Sequence, residues 1–313
     1  TELAIYFNVS KAKDYTRLSG QVLEENVAGA GTGDVKDEGK KNPADFAVWF
    51  FKKGKHENAL QTWPSPWGDG FPGWHIECAA MIKNLLGETI ALHMGGIEHI
   101  PVHHTNEIAQ SESANGKPFV NNWVHNEHLL VNNGKMSKSE GTSFSLAEVK
   151  EKGFDPLALR YFFLQAHYRS KQNFTWEALE AAQNGFKNLQ NQVRLLGKDS
   201  GEINTEYKNK FTDSISDDFN SPQALAVLQE VLRSELSNED KLATLINFDK
   251  ILGLKLAETL SEEIPEEVLS LAQQREEARK NKNWEEADLL RNEMFELGYD
   301  IDDAAGGFTI KKK

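Results

Sequence analysis

Apolar and polar residues change period part-way along this chain. Over the first ten residues they alternate, with Leu3, Ile5, Phe7 and Val9 on one side, as in a half-buried strand. Residues 28–41, rich in Gly, Asp, Glu and Lys, predict a solvated loop or a loose hairpin. Asn42-Pro-Ala-Asp-Phe-Ala-Val-Trp-Phe-Phe51 is expected to open a short helix, with Asn42 as cap and Pro43 in the first turn. Trp63-Pro-Ser-Pro-Trp-Gly-Asp-Gly-Phe-Pro-Gly73 predicts a rigid aromatic loop. Residues 74–86 read as a helix, with Ile76, Ala79, Ala80, Ile82 and Leu86 at its apolar positions and Gly87 to end it. Residues 89–94 form an apolar strand, Gly95-Gly96 a turn, and residues 103–114 a helix, which together make one α/β unit. Strand-like pieces follow at Phe119-Val120 and His128-Leu-Leu-Val131.

After Ser145 the helical period takes over. It covers residues 155–168, 175–197, 207–217, 221–235, 238–254, 265–280 and 284–297. Within 221–235 the apolar positions 224, 225, 227, 228, 231 and 232 form one stripe, preceded by a Ser221-Pro222 start signal. Thr175 caps the longest helix, and Ile301 to Lys313 reads as a small hairpin with a basic tail. The expected fold is therefore α/β followed by all-α.

Length and charge narrow the picture. A chain of 313 residues has room for two or three domains with real cores. One cysteine excludes an internal disulfide framework and fits a reducing compartment, so a cytoplasmic location is expected. The chain contains no apolar run long enough for a membrane span, and no secretory leader pattern is seen. Thr1 leads straight into a strand, which suggests a piece of something longer. The net charge of −13 argues against a general polycation but leaves room for local basic patches.

Candidate chemistry gathers between Gly73 and Glu107. Cys78, His103 and Glu107 offer a thiolate, an imidazole and a carboxylate, the side-chain types that bind zinc. His103 and Glu107 are four apart and share a helix face, while Cys78 must come from another element. His104, three before Glu107, is an alternative to His103. Three ligands fit either a catalytic metal or an incomplete site; the plainer alternatives are a buried small cysteine and a surface His–Glu pair. Farther on, Lys135 and Lys138 lie three apart in a polar loop. Its ammonium groups either face solvent or neutralise polyphosphate charge. Arg275, Arg279, Lys280 and Lys282 make a basic cluster, a solvated face or an RNA contact.

Lys135-Met-Ser-Lys-Ser139 matches the KMSKS signature of class I aminoacyl-tRNA synthetases. It lies after Pro72-Gly-Trp-His-Ile-Glu-Cys78 and His103-His-Thr-Asn-Glu-Ile-Ala-Gln-Ser111, and before Asp217-Asp-Phe-Asn-Ser-Pro-Gln-Ala-Leu225. This ordered set resembles cysteinyl-tRNA synthetase over essentially the whole chain. The resemblance implies the second half of a Rossmann-like class I catalytic domain, then a helical bundle and a small C-terminal domain. The boundaries expected are 1–72 for the connecting insertion, 73–145 for the catalytic part with the KMSKS loop, 146–261 for the helical stem-contact and tRNA-binding bundle, and 262–313 for the anticodon-side domain.

The same resemblance implies a monomeric, ATP-dependent cysteine–tRNA ligase whose partners are cysteine, ATP and tRNA(Cys). It also implies one Zn2+ on Cys78, His103 and Glu107, whose fourth protein ligand, with the HIGH motif, lies before Thr1. The chain alone is accordingly expected to be inactive. By resemblance, Lys135 and Lys138 are catalytic and Lys138, Gly95 and Gly96 meet ATP, while Trp74 and Glu98 bind the amino acid. Met94 and Glu98 depart from the family's Gly-Gly-Gly-x-Asp pattern, so a longer acid is expected to shift the contact with the substrate ammonium. Two alternatives remain: a non-catalytic RNA-binding or accessory protein derived from the synthetase, and a ligase joining cysteine to an amino-sugar.

Overall fold

The run Phe46-Ala-Val-Trp-Phe-Phe51 is a strand, not the helix that its Asn-Pro start suggested. The computed structural model describes residues 1–22, 37–137, 139, 141–199, 201–260, 265–304 and 307–312. In it β1 (Ala4–Phe7) pairs antiparallel with β2 (Phe46–Phe51), and β2 with β3 (Gly70–Pro72). Asn42 makes a turn instead of a helix cap. Its side-chain oxygen accepts from Ala44 N at 2.9 Å and its carbonyl from Asp45 N at 2.9 Å. The aromatic and β-branched residues that follow then favour the pleated surface. The alternation expected over residues 1–10 is interrupted by a register shift between Ile5 and Tyr6, so Ala4 and Val9, of opposite parity, are the buried positions.

Two units make up the chain, Thr1–His128 and Leu129–Lys313. The first continues with α1 (Trp74–Leu85), β4 (Ile90–Gly96), α2 (Thr105–Asn115) and β5 (Val120–Asn126). β4 and β5 run parallel, from Ile90 opposite Val120 to Gly96 opposite Asn126, with α2 as the crossover. The second strand is longer than Phe119-Val120 suggested, and it runs on through the exposed Asn121 and Asn122. Among the described residues no third strand joins this pair. Consistently, Leu92 and Met94 of β4 and Met81, Leu85 and Leu86 at α1 are exposed. The helix periodicity of 74–86 is right, but only His75 and Ala79 of α1 are buried; Ala80 and Leu86 face out, since nothing in this unit covers them.

In the second unit β6 (Leu129–Val131) pairs with β7 (Gly134–Lys135) and, in parallel, with β8 (Gln172–Phe174). Eight α-helices of the described residues follow the strand β7: α3 (Leu146–Glu151), α4 (Pro156–Leu164), α5 (Trp176–Leu195), α6 (Thr205–Ser216), α7 (Ser221–Arg233), α8 (Asn238–Leu252), α9 (Glu266–Lys280) and α10 (Trp284–Glu296). Side-chain caps from Ser145, Asp155, Thr175, Asn204, Asn220 and Ser237 satisfy the first amides of α3 to α8. The cap of α7 is Asn220, one residue ahead of the expected Ser221. Its stripe is buried at Ala224, Leu225, Val227, Leu228 and Val231, and Phe211 of α6 stacks on Phe248 of α8 at 4.1 Å. A smaller core of Val268, Ala272, Met294, Ile301 and Ile310 joins α9 and α10 to the hairpin β9 (Tyr299–Ala304) and β10 (Gly307–Lys312). No helix of the described residues is long and apolar enough to cross a membrane. Lys138, most of the loop 28–41 and Lys313 lie outside the described residues.

Candidate metal centre

Cys78 enters this site from α1, one turn after His75 and on the side that meets α2. A wide π-helical turn, Ile100–His104, with Pro101 at its start, feeds α2. It buries both His103 and His104, which an ordinary helix would set about 100° apart around its axis. Within α2, Glu107 is completely buried, and Gln110 donates from Nε2 to the carbonyl of His75 at 2.6 Å, tying α2 to α1.

One ligand atom each from Cys78, His103 and Glu107 lies within 4.8 Å of the others. A second group, His93, His104 and Glu107, meets the same limit and shares the carboxylate. Glu107 Oε1 is 3.4 Å from His103 Nε2 and its Oε2 is 3.3 Å from His93 Nε2. Yet neither oxygen has a hydrogen-bond partner among the described residues. The two imidazoles miss hydrogen-bond geometry to it, so a cation would meet this buried carboxylate better than they do. Burial by itself would raise the Glu107 carboxyl, but the imidazoles of His103 and His93 outweigh it and bring the pKa to about 2. Glu107 is thus an anion at neutral pH.

The imidazoles of His75 and His104 are kept neutral. Burial, with His103 beside it, lowers His75 to about 4, and burial lowers His104 to about 3. Neutral rings keep the lone pairs that metal ligation needs. Burial, and after it the carboxylates of Glu107 and Glu77, push the Cys78 thiol up, so this sulfur becomes a thiolate only beside a cation. His103 Nδ1 is 3.0 Å from His75 Nδ1, which leaves Nε2 for the site. His104 Nδ1 is likewise 2.7 Å from His125 Nε2. A ring fixed through one nitrogen and offering the other is how histidine ligands are held. The donor set, the orphaned carboxylate and the oriented imidazole all fit a divalent, zinc-type ion. Of the two groups, the one with Cys78 suits zinc better, because it supplies a soft sulfur.

Other expected site residues fall at different places. Trp74 is 54% exposed, and its ring lies 4.3 Å from that of His103, so it covers the site instead of filling a core. Gly95 and Gly96 have a local packing reason to be glycine. A Cβ at Gly95 would meet His104 Cε1 at 2.5 Å, and one at Gly96 would meet Glu98 Oε2 at 2.1 Å. Glu98 is exposed, with Oε1 3.5 Å from His99 Nδ1 and Oε2 3.8 Å from His128 Nδ1. Lys135 ends β7, exposed, in the other unit. His75, His93 and His125 were not anticipated from sequence. The parallel register that sets His93 opposite Trp123 and Gly95 opposite His125 brings the last two inward, and that register is a tertiary fact.

Three family models cover most of the chain. Residues 1–184 match the tRNA synthetases class I (C) catalytic domain, residues 210–257 the DALR domain, and residues 261–309 the cysteinyl-tRNA ligase anticodon binding domain. The chain belongs to the cysteine–tRNA ligase family. Among its relatives, the cysteine–tRNA ligase of Treponema denticola is 43% identical over 98% of this chain and 69% of its own length. Cysteine–tRNA ligase 1 of Burkholderia lata is 40% identical over 98% of this chain and 65% of its own length. For the cysteine–tRNA ligase of Chlamydia muridarum the figures are 38%, 99% and 70%. The chain thus spans about two thirds of the cysteine–tRNA ligases it matches, and its α/β part followed by helical domains agrees with the order of the family models.

Proposed function

We propose that the protein supplies part of a zinc-dependent cysteine–tRNA ligase and does not catalyse the reaction alone. In the first reaction the carboxylate of cysteine attacks the α-phosphorus of ATP, the bond to the β-phosphate breaks, and cysteinyl-adenylate and pyrophosphate form. In the second, a hydroxyl at the tRNA(Cys) 3′ end takes the acyl group and AMP leaves. The observation that carries this reading is the convergence of Cys78, His103 and a Glu107 carboxylate with no hydrogen bond of its own.

Each residue then has a task. Cys78, His103 and Glu107 hold the ion, His75 orients His103 through the 3.0 Å Nδ1 contact, and Trp74 limits water access from above. Zinc, when bound, acidifies the thiol of the substrate, a discrimination that the hydroxyl of serine cannot match. Glu98 accepts from the substrate ammonium. Gly95 and Gly96 line the approach of the adenosine, and Lys135 and Lys138 stabilise charge as the phosphate is transferred. Residues 146–261 carry the tRNA stem side and 262–313 the anticodon side. There the Arg279 guanidinium lies 5.6 Å from the centre of the exposed Trp284 ring, a pairing suited to RNA bases.

The test has two parts. Metal analysis of the purified protein should give about one zinc per chain, and equilibrium binding should favour tRNA(Cys) over other tRNAs. A metal-free protein that binds all tRNAs equally would leave only a non-catalytic RNA binder.

A further inference from the structure

The connection between β2 and β3 presents two indoles to solvent: Trp63 is 51% and Trp67 64% exposed. Neither sits on slack chain. Ser65 Oγ donates to the carbonyl of Gly68 at 2.6 Å and accepts from Trp67 N at 3.2 Å, while Gly68 N donates to Ser65 O at 3.1 Å. Pro64 and Pro66 fix φ on either side of that serine. Trp63 and Gly70 exchange backbone hydrogen bonds of 2.7 and 3.0 Å, closing the base of the loop. Large apolar rings held out in this way lose little entropy when something stacks on them.

Lysines emerge at the same end of the sheet. Lys52 N donates to Asp69 O at 2.9 Å, next to Gly68, and Lys53 and Lys55 follow directly. All three are exposed, and among the described residues none lies within ion-pair distance of a carboxylate. In a chain of net charge −13, a segment holding three ammonium groups away from any carboxylate of the described residues, one of them over the Phe51 ring, and two outward indoles is a local exception. Single-stranded nucleic acid matches it: bases stack on the rings and phosphates meet the lysines, whereas a duplex keeps its base faces covered.

We propose that Trp63 and Trp67, with Lys52, Lys53 and Lys55, form a stacking platform for the unpaired 3′-terminal bases of tRNA. The proposal rests on the ligase reading and names a contact for it. The unit that carries Cys78, His103 and Glu107 also carries this loop, and the aminoacyl ester is made at the tRNA 3′ end, so that is the single strand brought here.

The test uses the whole chain, a fluorescently labelled RNA oligonucleotide of the tRNA 3′-terminal sequence, and tRNA(Cys) with or without its unpaired 3′ nucleotides. Trp63→Ala and Trp67→Ala should each weaken oligonucleotide binding about tenfold, with Trp67→Phe recovering part of the loss. Trimmed tRNA should bind wild type and both alanine variants alike, and more weakly than wild type binds intact tRNA. Lys53→Gln with Lys55→Gln should lower the slope of log K against log salt by about 0.7 per lysine. The proposal is overturned if the alanine variants bind the oligonucleotide as wild type does, if duplex RNA is preferred, or if trimming leaves the affinity for wild type unchanged. It is overturned too if Trp67→Ala dissociates a wild-type dimer in sedimentation, which would make the loop a self-association surface. Failure of wild type to bind any tRNA would instead bring down the ligase reading as well.

Discussion

His75→Leu removes the partner of His103 Nδ1 while keeping a side chain of similar bulk. His75 is buried; its ring sits edge-on to Phe46 at 5.5 Å and its Nδ1 lies 3.0 Å from His103 Nδ1. Its backbone carbonyl, held by Gln110, does not depend on the side chain, so the α1–α2 junction should persist. With the imidazole gone, His103 Nδ1 is a buried group without its partner, a penalty of about 1–3 kcal/mol. In the metal-free protein the His103 ring can escape that penalty by turning toward Glu107. Zinc must then pull it back, so the penalty falls on binding. The zinc dissociation constant should rise about 10- to 100-fold, as for other partners behind a metal ligand. The assay is competition against a chromophoric chelator at fixed pH, with circular dichroism to establish that the variant is folded. A folded His75→Leu protein whose affinity stays within about twofold of wild type would refute the reasoning.

The two halves of the molecule were unequally legible in the sequence. The helices from 156 onward were placed within a few residues of the observed ones, because a 3.6-residue apolar stripe such as Ala224 to Val231 is both local and redundant. The helix expected at 42–51 failed for the opposite reason: one strong start signal, Asn-Pro, stood against a run whose strand character shows only when β1 and β3 flank it. At the site, Cys78, His103 and Glu107 could be named because their chemistry is scarce and two of them share a helix face. His93 and His125 could not, since what makes them neighbours is the parallel register of β4 with β5. The π-helical turn was equally invisible, as a five-residue ring leaves no period of its own. The expected burial of Leu86 failed because periodicity finds an apolar face without saying whether this unit has anything to cover it.

Three further outcomes are expected. Cys78→Ser should leave the protein folded but with well under one equivalent of zinc by atomic absorption, since a hydroxyl is a poor replacement for the thiolate; an unchanged metal content would remove Cys78 from the ligand set. Phe248→Ala should lower the unfolding free energy by about 3–5 kcal/mol in a urea titration, because its fully buried ring lies face to face with Phe211; a loss below about 1 kcal/mol would mean that the helical core closes around the gap. The last concerns a corner where Asp218 and Phe219 are both at positive φ, 54° and 55°. Asp218 takes Arg169 Nε and Nη2 at 2.6 and 3.0 Å and the Tyr168 hydroxyl at 2.5 Å, and these donors, Arg169 foremost, hold its carboxyl at about 2. Because this folded value is depressed below the unfolded value of about 3.9, the interaction is in full force above that pH and disappears as the pH falls toward 2. Arg169→Gln should therefore move the Asp218 titration upward in carbon-detected NMR. It should also loosen the corner, because two successive side-chain-bearing residues in the left-handed region persist only when something outside the backbone holds them. An Asp218 titration unmoved by Arg169→Gln would show that the guanidinium is not what holds the carboxyl down, and the strained turn would then need another support.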